Sequence, residues 1–258
     1  VKPLKQLLTG MKRISKGDYQ TRIKSDRDDE FATLADSFNN MAMNLSEKNR
    51  LAQMVSESAV EMASSDEAEL KAMKGQRRLT AVLYIGIQNY RSLIENTDWT
   101  HTRNLLNQWV DHVSEVVSNS GGEVDKVMEG KILAAFFADK DSVETVKNYL
   151  TRAYDAAMQL CYCDKHKEIT VGAGVHKGTV ISGLMGNSNR RDLTIIGDPV
   201  NVAARCFSIA AHQGKKAAII STESTAEEIR DLYDLEAMGS YSIKGKKDKI
   251  QLFKIKSR

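Results

Sequence analysis

The sequence predicts an α/β domain, a mixed sheet with flanking helices, preceded by a parallel helical coiled-coil module. The N-terminal part carries two apolar seams at alternating three- and four-residue steps, the spacing of helices that pack along one stripe. From residue 79 onward, short β-branched runs alternate with amphipathic stretches of helical length. One tight hairpin lies among the long β-α-β crossovers, a mixture that points to a ferredoxin-like core with an extra subdomain.

Leu4, Leu7, Met11 and Ile14 make the first seam, which Gly17-Asp18 ends, with Gly17 in the C-capping role. A charged stretch from Tyr19 to Asp29 follows, able to pack only through Ile23. The second seam runs Phe31, Leu34, Phe38, Met41 and Leu45. Two short helices on an extended connector cannot bury these stripes alone, and a parallel dimer forming a four-helix bundle would. The seam continues through Ala52, Val55, Ala59 and Met62 with Lys48 at a core position; Asp66 interrupts it, and Leu70 and Met73 resume out of phase. Such a slip changes supercoil winding locally. It reads either as a joint that transmits register or as a coil fraying before a linker. Pro3, Gly17-Asp18, Asp29-Glu30 and Phe38-Asn39 together resemble a HAMP domain over residues 1–50. In that family a transmembrane helix precedes the proline, so the resemblance implies a fragment of a membrane receptor, lying at the cytoplasmic face. Residues 51–77 would be a coiled-coil signalling linker, and 78–258 the α/β domain.

In that domain Leu79 to Ile87 reads as a buried strand, and residues 100–118 as a helix with Leu105, Trp109, Val113 and Val116 on one stripe. Glu123 to Phe137 reads as a hairpin turning at Glu129-Gly130-Lys131, and 141–162 as a second helix. Strands Ile169 to His176 and Thr179 to Leu184 are expected on either side of Lys177-Gly178. A strand from Leu193 to Ile196 leads to a helix after Asp198. Ala218 to Ser221, a short helix from Glu223 to Asp231, and strands near Tyr241 and Gln251 to Ile255 complete the order.

Composition excludes several classes. The 258 residues include 37 basic and 34 acidic ones, a net charge of +3, too balanced to suggest nucleic acid as partner. No apolar run approaches the ~18 residues of a membrane span, and Lys2, Lys5, Lys12 and Arg13 break any signal-peptide pattern. Cys161, Cys163 and Cys206 fit neither a disulfide framework nor zinc spacing, so helix or core thiols in a reducing setting are expected.

The most informative segment is Gly197-Asp198-Pro199-Val200-Asn201-Val202-Ala203-Ala204-Arg205. Asn201 and Arg205 stand one helical turn apart, so an amide and a guanidinium share a face. Together they could grip a ribose and a phosphate; spacing alone equally suits an arginine facing water. The segment resembles the signature of class III adenylate/guanylate cyclases. Gly121-Gly122-Glu123-Val124-Asp125-Lys126, Gly172-Ala173-Gly174-Val175-His176-Lys177-Gly178, Arg191 to Asp198 and Lys244-Gly245-Lys246 resemble further blocks of that family, in order. The resemblance implies that Lys126 and Thr194 face the purine, Asn201 orients the ribose, Arg205 stabilises the transition state and Lys244 meets the terminal phosphates. Lys126 with Thr194 leans towards ATP over GTP.

Two departures qualify it. The family carries one metal-binding aspartate in its first strand and another in the hairpin turn, four residues after the base lysine. Gly86 and Gly130 occupy these positions. Two Mg²⁺ ions held there would activate the ribose 3′-hydroxyl and neutralise the triphosphate, and such hard ions want anionic oxygen ligands. Glu129 adjoins the second position but points to the opposite face of a regular strand. The expected function is therefore a HAMP relay coupled to a cyclase-homology domain without ordinary cyclase activity as a homodimer, regulatory or nucleotide-sensing. The alternatives are the metal-free half of a heterodimeric adenylate cyclase completed by a metal-competent domain, and an active cyclase turning ATP into cAMP and diphosphate with atypical ligands. Mg or Mn would enter only through a partner chain or such ligands.

Overall fold

A computed structural model of the chain describes residues 2–25, 27, 29–52, 72–138, 145–162, 168–187, 191–212, 216–242 and 248–257. It divides into two compact units, Val1–Glu61 and Met62–Arg258. No described helix is long and apolar enough to cross a membrane.

In the first unit, α1 (Lys2–Ile14) and α2 (Glu30–Ala52) are the two predicted helices. Gly17 ends α1 at φ 88°, a conformation that costs a glycine little. The Asp18 and Gly17 amides donate back to the Arg13 and Ile14 carbonyls, the paired bonds of a Schellman cap. Asp29 caps α2 by accepting from the Phe31 amide at 3.1 Å. The Asn39 side chain holds the connector as a strand neighbour would, accepting from the Ile23 amide and donating to its carbonyl, both at 2.9 Å. Ile14, Phe38 and Ala42 are buried together with Leu7, Ile23 and Leu45 against them. Each seam is only half covered: Leu4, Met11, Leu34 and Met41 are 51%, 54%, 49% and 41% exposed.

The second unit is one mixed sheet with helices. Its described elements are β1 (Gln76–Ile87), α3 (Tyr90–Asn96), α4 (Trp99–Asn119), β2 (Glu123–Met128), β3 (Lys131–Phe137), α5 (Thr145–Cys161), β4 (Val171–Gly186), β5 (Arg191–Ile196), α6 (Asp198–Ala211), β6 (Ala218–Thr222), α7 (Glu223–Ala226), β7 (Asp234–Tyr241) and β8 (Ile250–Ser257). Strand order is β2-β3-β1-β4-β6-β8-β7, with β5 on the far part of β4. β4 and β6 are parallel, and the remaining pairs antiparallel. Alternation along β1 sends Leu83, Ile85 and Ile87 into a large core that includes Trp109 of α4 and Tyr149 and Tyr154 of α5. Val82 and Tyr84 go to the opposite face, with Leu133, Ala135, Ile195 and Ala203 of α6.

Three expectations change. β1 opens at Gln76, earlier than Leu79, and α3 is an additional short helix whose one buried residue is Leu93. The two strands expected around Lys177-Gly178 are one, because β1 pairs across that dipeptide, Ala81 with Lys177 and Thr80 with Gly178. Gly178 makes no turn; a Cβ there would lie 2.4 Å from Pro199 Cγ, so its smallness seats the start of α6. Cys161 and Cys206 are buried free thiols, pushed above the ordinary thiol value by burial, Cys206 up to about 12. Cys163 lies outside the described residues, as do the seam positions from Val55 to Leu70.

Candidate functional site

The end of β1 and the β2–β3 turn form one side of the candidate site. Gly86 pairs with Lys131. Glu129 and Gly130 have φ of 49° and 73°, as a two-residue hairpin turn with two left-handed centres requires. The Gly130 carbonyl accepts from the Ile87 amide at 3.1 Å and from the Trp109 indole at 3.3 Å, which binds the turn to β1 and to the core. A Cβ on Gly130 would lie 2.5 Å from the Tyr90 ring; one on Gly86 would lie 2.9 Å from Lys131 Cγ and 3.0 Å from the Gly130 carbonyl oxygen. Both positions are thus closed against side chains by a ring, a lysine stem and backbone.

This side does not fit a pair of divalent cations. Its nearby carboxylate is Glu129, 77% exposed at the side chain and facing the Lys131 ammonium at 3.7 Å. Among the described residues no group of three or more His, Cys, Asp or Glu side chains could hold a metal ion. Burial, and then the Glu129 charge, push the Tyr84 phenol above its ordinary value.

The predicted nucleotide-facing residues form a second group, on β2, β5 and α6. A bulge in β2 between Val124 and Lys126 turns Asp125 towards β5. Its carboxylate accepts from the Thr194 hydroxyl at 2.8 Å and from the Ile195 amide at 2.9 Å. Burial raises the Asp125 carboxyl above the usual carboxylate range, against the lowering effect of these two bonds and of Lys126. Thr194 is 6% exposed, and Asp125 draws its strand to that of Lys126. Nothing in the sequence marks Asp125 for this role, because in a regular strand it and Lys126 would point to opposite faces.

β5 runs through Gly197 into α6, so Thr194 lies one short step before Asn201 and Arg205. α6 lies unusually near the sheet: a Cβ on Gly174 would come within 2.1 Å of the Ala203 carbonyl and 2.4 Å of the Phe207 amide. The glycine block of β4 therefore serves as the bed of this helix. His176 of that block is a structural residue, its Nδ1 at 2.8 Å and 3.1 Å from the hydroxyls of Thr222 and Thr225. Asn201 is exposed and Arg205 half-buried on α6. Among the described residues the side chains of Lys126, Asn201 and Arg205 make no hydrogen bond or ion pair. Lys244 lies outside the described residues.

The sequence matches the profile of the HAMP domain over residues 1–47, and that of the adenylate and guanylate cyclase catalytic domain over residues 72–257. An adenylate cyclase of Anabaena cylindrica is 27% identical, the match covering 99% of this chain and 54% of that protein. An uncharacterised protein of Mycobacterium tuberculosis is also 27% identical, over 88% of this chain and 42% of its own length. The chain spans about half the length of the curated relatives it matches. Among solved structures, the adenylyl cyclase CyaB from P. aeruginosa superposes with a TM-score of 0.63 at 23% identity, over 71% of this chain and 96% of that one. A bacterial light-regulated adenylyl cyclase gives 0.70 at 17% identity, over 89% and 66%. At these identities the structures speak for the fold, which is that of the cyclase domain.

Proposed function

The chain belongs to the adenylate and guanylate cyclase catalytic domain family through residues 72–257, behind a HAMP domain, and on that premise we propose that it relays a signal to a domain that takes up a nucleoside triphosphate without two-metal chemistry. The observation that carries this is the asymmetry of the site. Lys126, Asn201 and Arg205 make no side-chain hydrogen bond or ion pair in the described fold, while Gly86 and Gly130 are packed shut. As a homodimer the domain would be regulatory or nucleotide-sensing, without ordinary cyclase activity.

Several finer points join this reading. The division is a HAMP relay at 1–50, a signalling coil at 51–77 and the cyclase-like domain at 78–258. Parallel dimerisation is supported by the uncovered half of each helical seam, Leu4 and Met11 with Leu34 and Met41, and by exposed Val127, Met128, Ile181 and Ile196 on the second unit. The parent protein would be a membrane receptor, with this part at the cytoplasmic face. Thr194 favours ATP: its hydrogen is donated to Asp125, so towards a ligand its oxygen offers lone pairs, which suit the amino group of adenine rather than the carbonyl of guanine.

Calorimetric titration of the purified chain with ATP and GTP, with and without Mn²⁺, tests the reading, alongside an assay for cyclic nucleotide. Binding without turnover is expected. Cyclic-nucleotide production by the chain alone would sink it, and an absence of binding would leave a scaffold. The same intact half also suits a heterodimer, with a partner domain carrying both aspartates. Activity that appears only on mixing with such a domain would favour that second reading.

A further inference from the structure

We propose that Lys131 takes the place of the divalent cations, its ammonium binding the polyphosphate of a nucleoside triphosphate directly. This deepens the proposed function and rests on its premise that a nucleotide binds.

Lys131 opens β3, and alternation with Leu133 and Ala135 sets it on the sheet face of Val82 and Tyr84, the face of Gly86. Its Cγ lies 2.9 Å from the point where a Cβ of Gly86 would stand. The lysine stem thus fills the volume an aspartate at position 86 would need. Glycine and lysine are complementary here: any side chain at 86 would displace the stem, and glycine lets it cross. The Lys131 side chain is 34% exposed, and its ammonium lies 3.7 Å from the carboxylate of Glu129, whose side chain is 77% exposed. At 3.7 Å that pair is longer than the ~2.7–2.9 Å of a charge-assisted hydrogen bond, so the ammonium can exchange it for phosphate oxygens. A lysine binds phosphate as a point charge and needs no further ligands. Glu129 opposes the same anion, so its charge lowers the affinity that Lys131 provides.

The test uses the whole purified chain and ATP, titrated calorimetrically in EDTA and again with excess Mg²⁺, with adenosine as the phosphate-free control. Wild type is expected to bind ATP in EDTA at least as tightly as with Mg²⁺. Lys131→Met, which keeps the stem, should lose about tenfold or more in ATP affinity, ~1.4 kcal/mol, with adenosine binding and melting temperature unchanged. Glu129→Gln should bind ATP several-fold more tightly in EDTA. ATP binding that requires Mg²⁺, or an unchanged affinity in Lys131→Met, overturns the assignment while leaving the nucleotide reading standing. Failure of the wild type to bind ATP under either condition overturns both.

Discussion

The two sides of the candidate site both rest on glycines and differ in what those glycines make room for. Around α6, glycine makes room for a helix: Gly174 lets α6 lie against β4, and the helix then presents Asn201 and Arg205 outward. Around the β2–β3 turn, glycine makes room for neighbouring protein: Gly130 is under the Tyr90 ring and Gly86 under the Lys131 stem. At both glycines neighbouring atoms occupy the space a side chain would need, which on the proposed reading makes the turn a packed surface rather than a metal site.

The largest expected effect tests the α6 side. In Gly174→Ala the new methyl would meet backbone atoms of Ala203 and Phe207 at 2.1 Å and 2.4 Å, which no rotamer change relieves. A loss of roughly 3 kcal/mol or more is expected in urea unfolding. A variant as stable as wild type would mean that α6 does not need this bed, and the contrast between the sides would fail.

Next comes the turn. Placing carboxylates at both positions in Gly86→Asp with Gly130→Asp should cost roughly 2–4 kcal/mol, because one Cβ meets a ring at 2.5 Å in a left-handed backbone and the other meets a lysine stem and a carbonyl. Thermal unfolding gives the cost. Titration with Mn²⁺ in the presence of ATP should detect no gain in cation binding. A stable double variant that binds Mn²⁺ would break the comparison by showing that the turn accepts both side chains and a cation.

A smaller effect separates function from stability on the open side. Arg205 has no side-chain hydrogen bond or ion pair among the described residues, so Arg205→Ala should change unfolding free energy by less than about 1 kcal/mol. ATP affinity should fall by about tenfold, since hydrogen bonds to charged groups are worth about 1.5–3 kcal/mol. Parallel losses in stability and affinity would instead make Arg205 a packing residue.

Much of this was legible in the sequence because periodicity carries it. The seams gave α1 and α2, and Glu129-Gly130 gave the hairpin, where both residues adopt left-handed backbone. What escaped was context. Gly178 reads as a turn between strands, yet it is a flat place on a continuous strand for Pro199. The seven-residue α3 is too short for a periodic signal. Asp125 and Lys131 were invisible for related reasons: a bulge redirects the first, and the second follows a turn, where a lysine normally reads as solvent-facing. Both flank residues that the sequence did identify, Lys126 and Gly130.

The smallest effect concerns that bulge. Asp125 accepts from the Ile195 amide and the Thr194 hydroxyl at once. In Asp125→Asn the amide oxygen can keep the Ile195 bond, and its NH₂ then faces Thr194. The Thr194 oxygen becomes an acceptor within the protein, and its hydrogen is released towards the ligand. Preference should move from ATP towards GTP by several-fold, about 1 kcal/mol for one reversed hydrogen bond, read from competitive binding of the two nucleotides. Acid should act on wild type in the same direction, because burial raises this half-buried carboxyl above the usual carboxylate range. The sign of the stability effect follows from linkage. With the folded value raised, the folded state holds more protons in this window, so stability is full below the ordinary carboxylate value and declines as pH rises through the folded one. Asp125→Asn should flatten that decline in melting temperature. A variant that keeps both the slope and the ATP preference would place the selectivity elsewhere than in the Asp125–Thr194 bond.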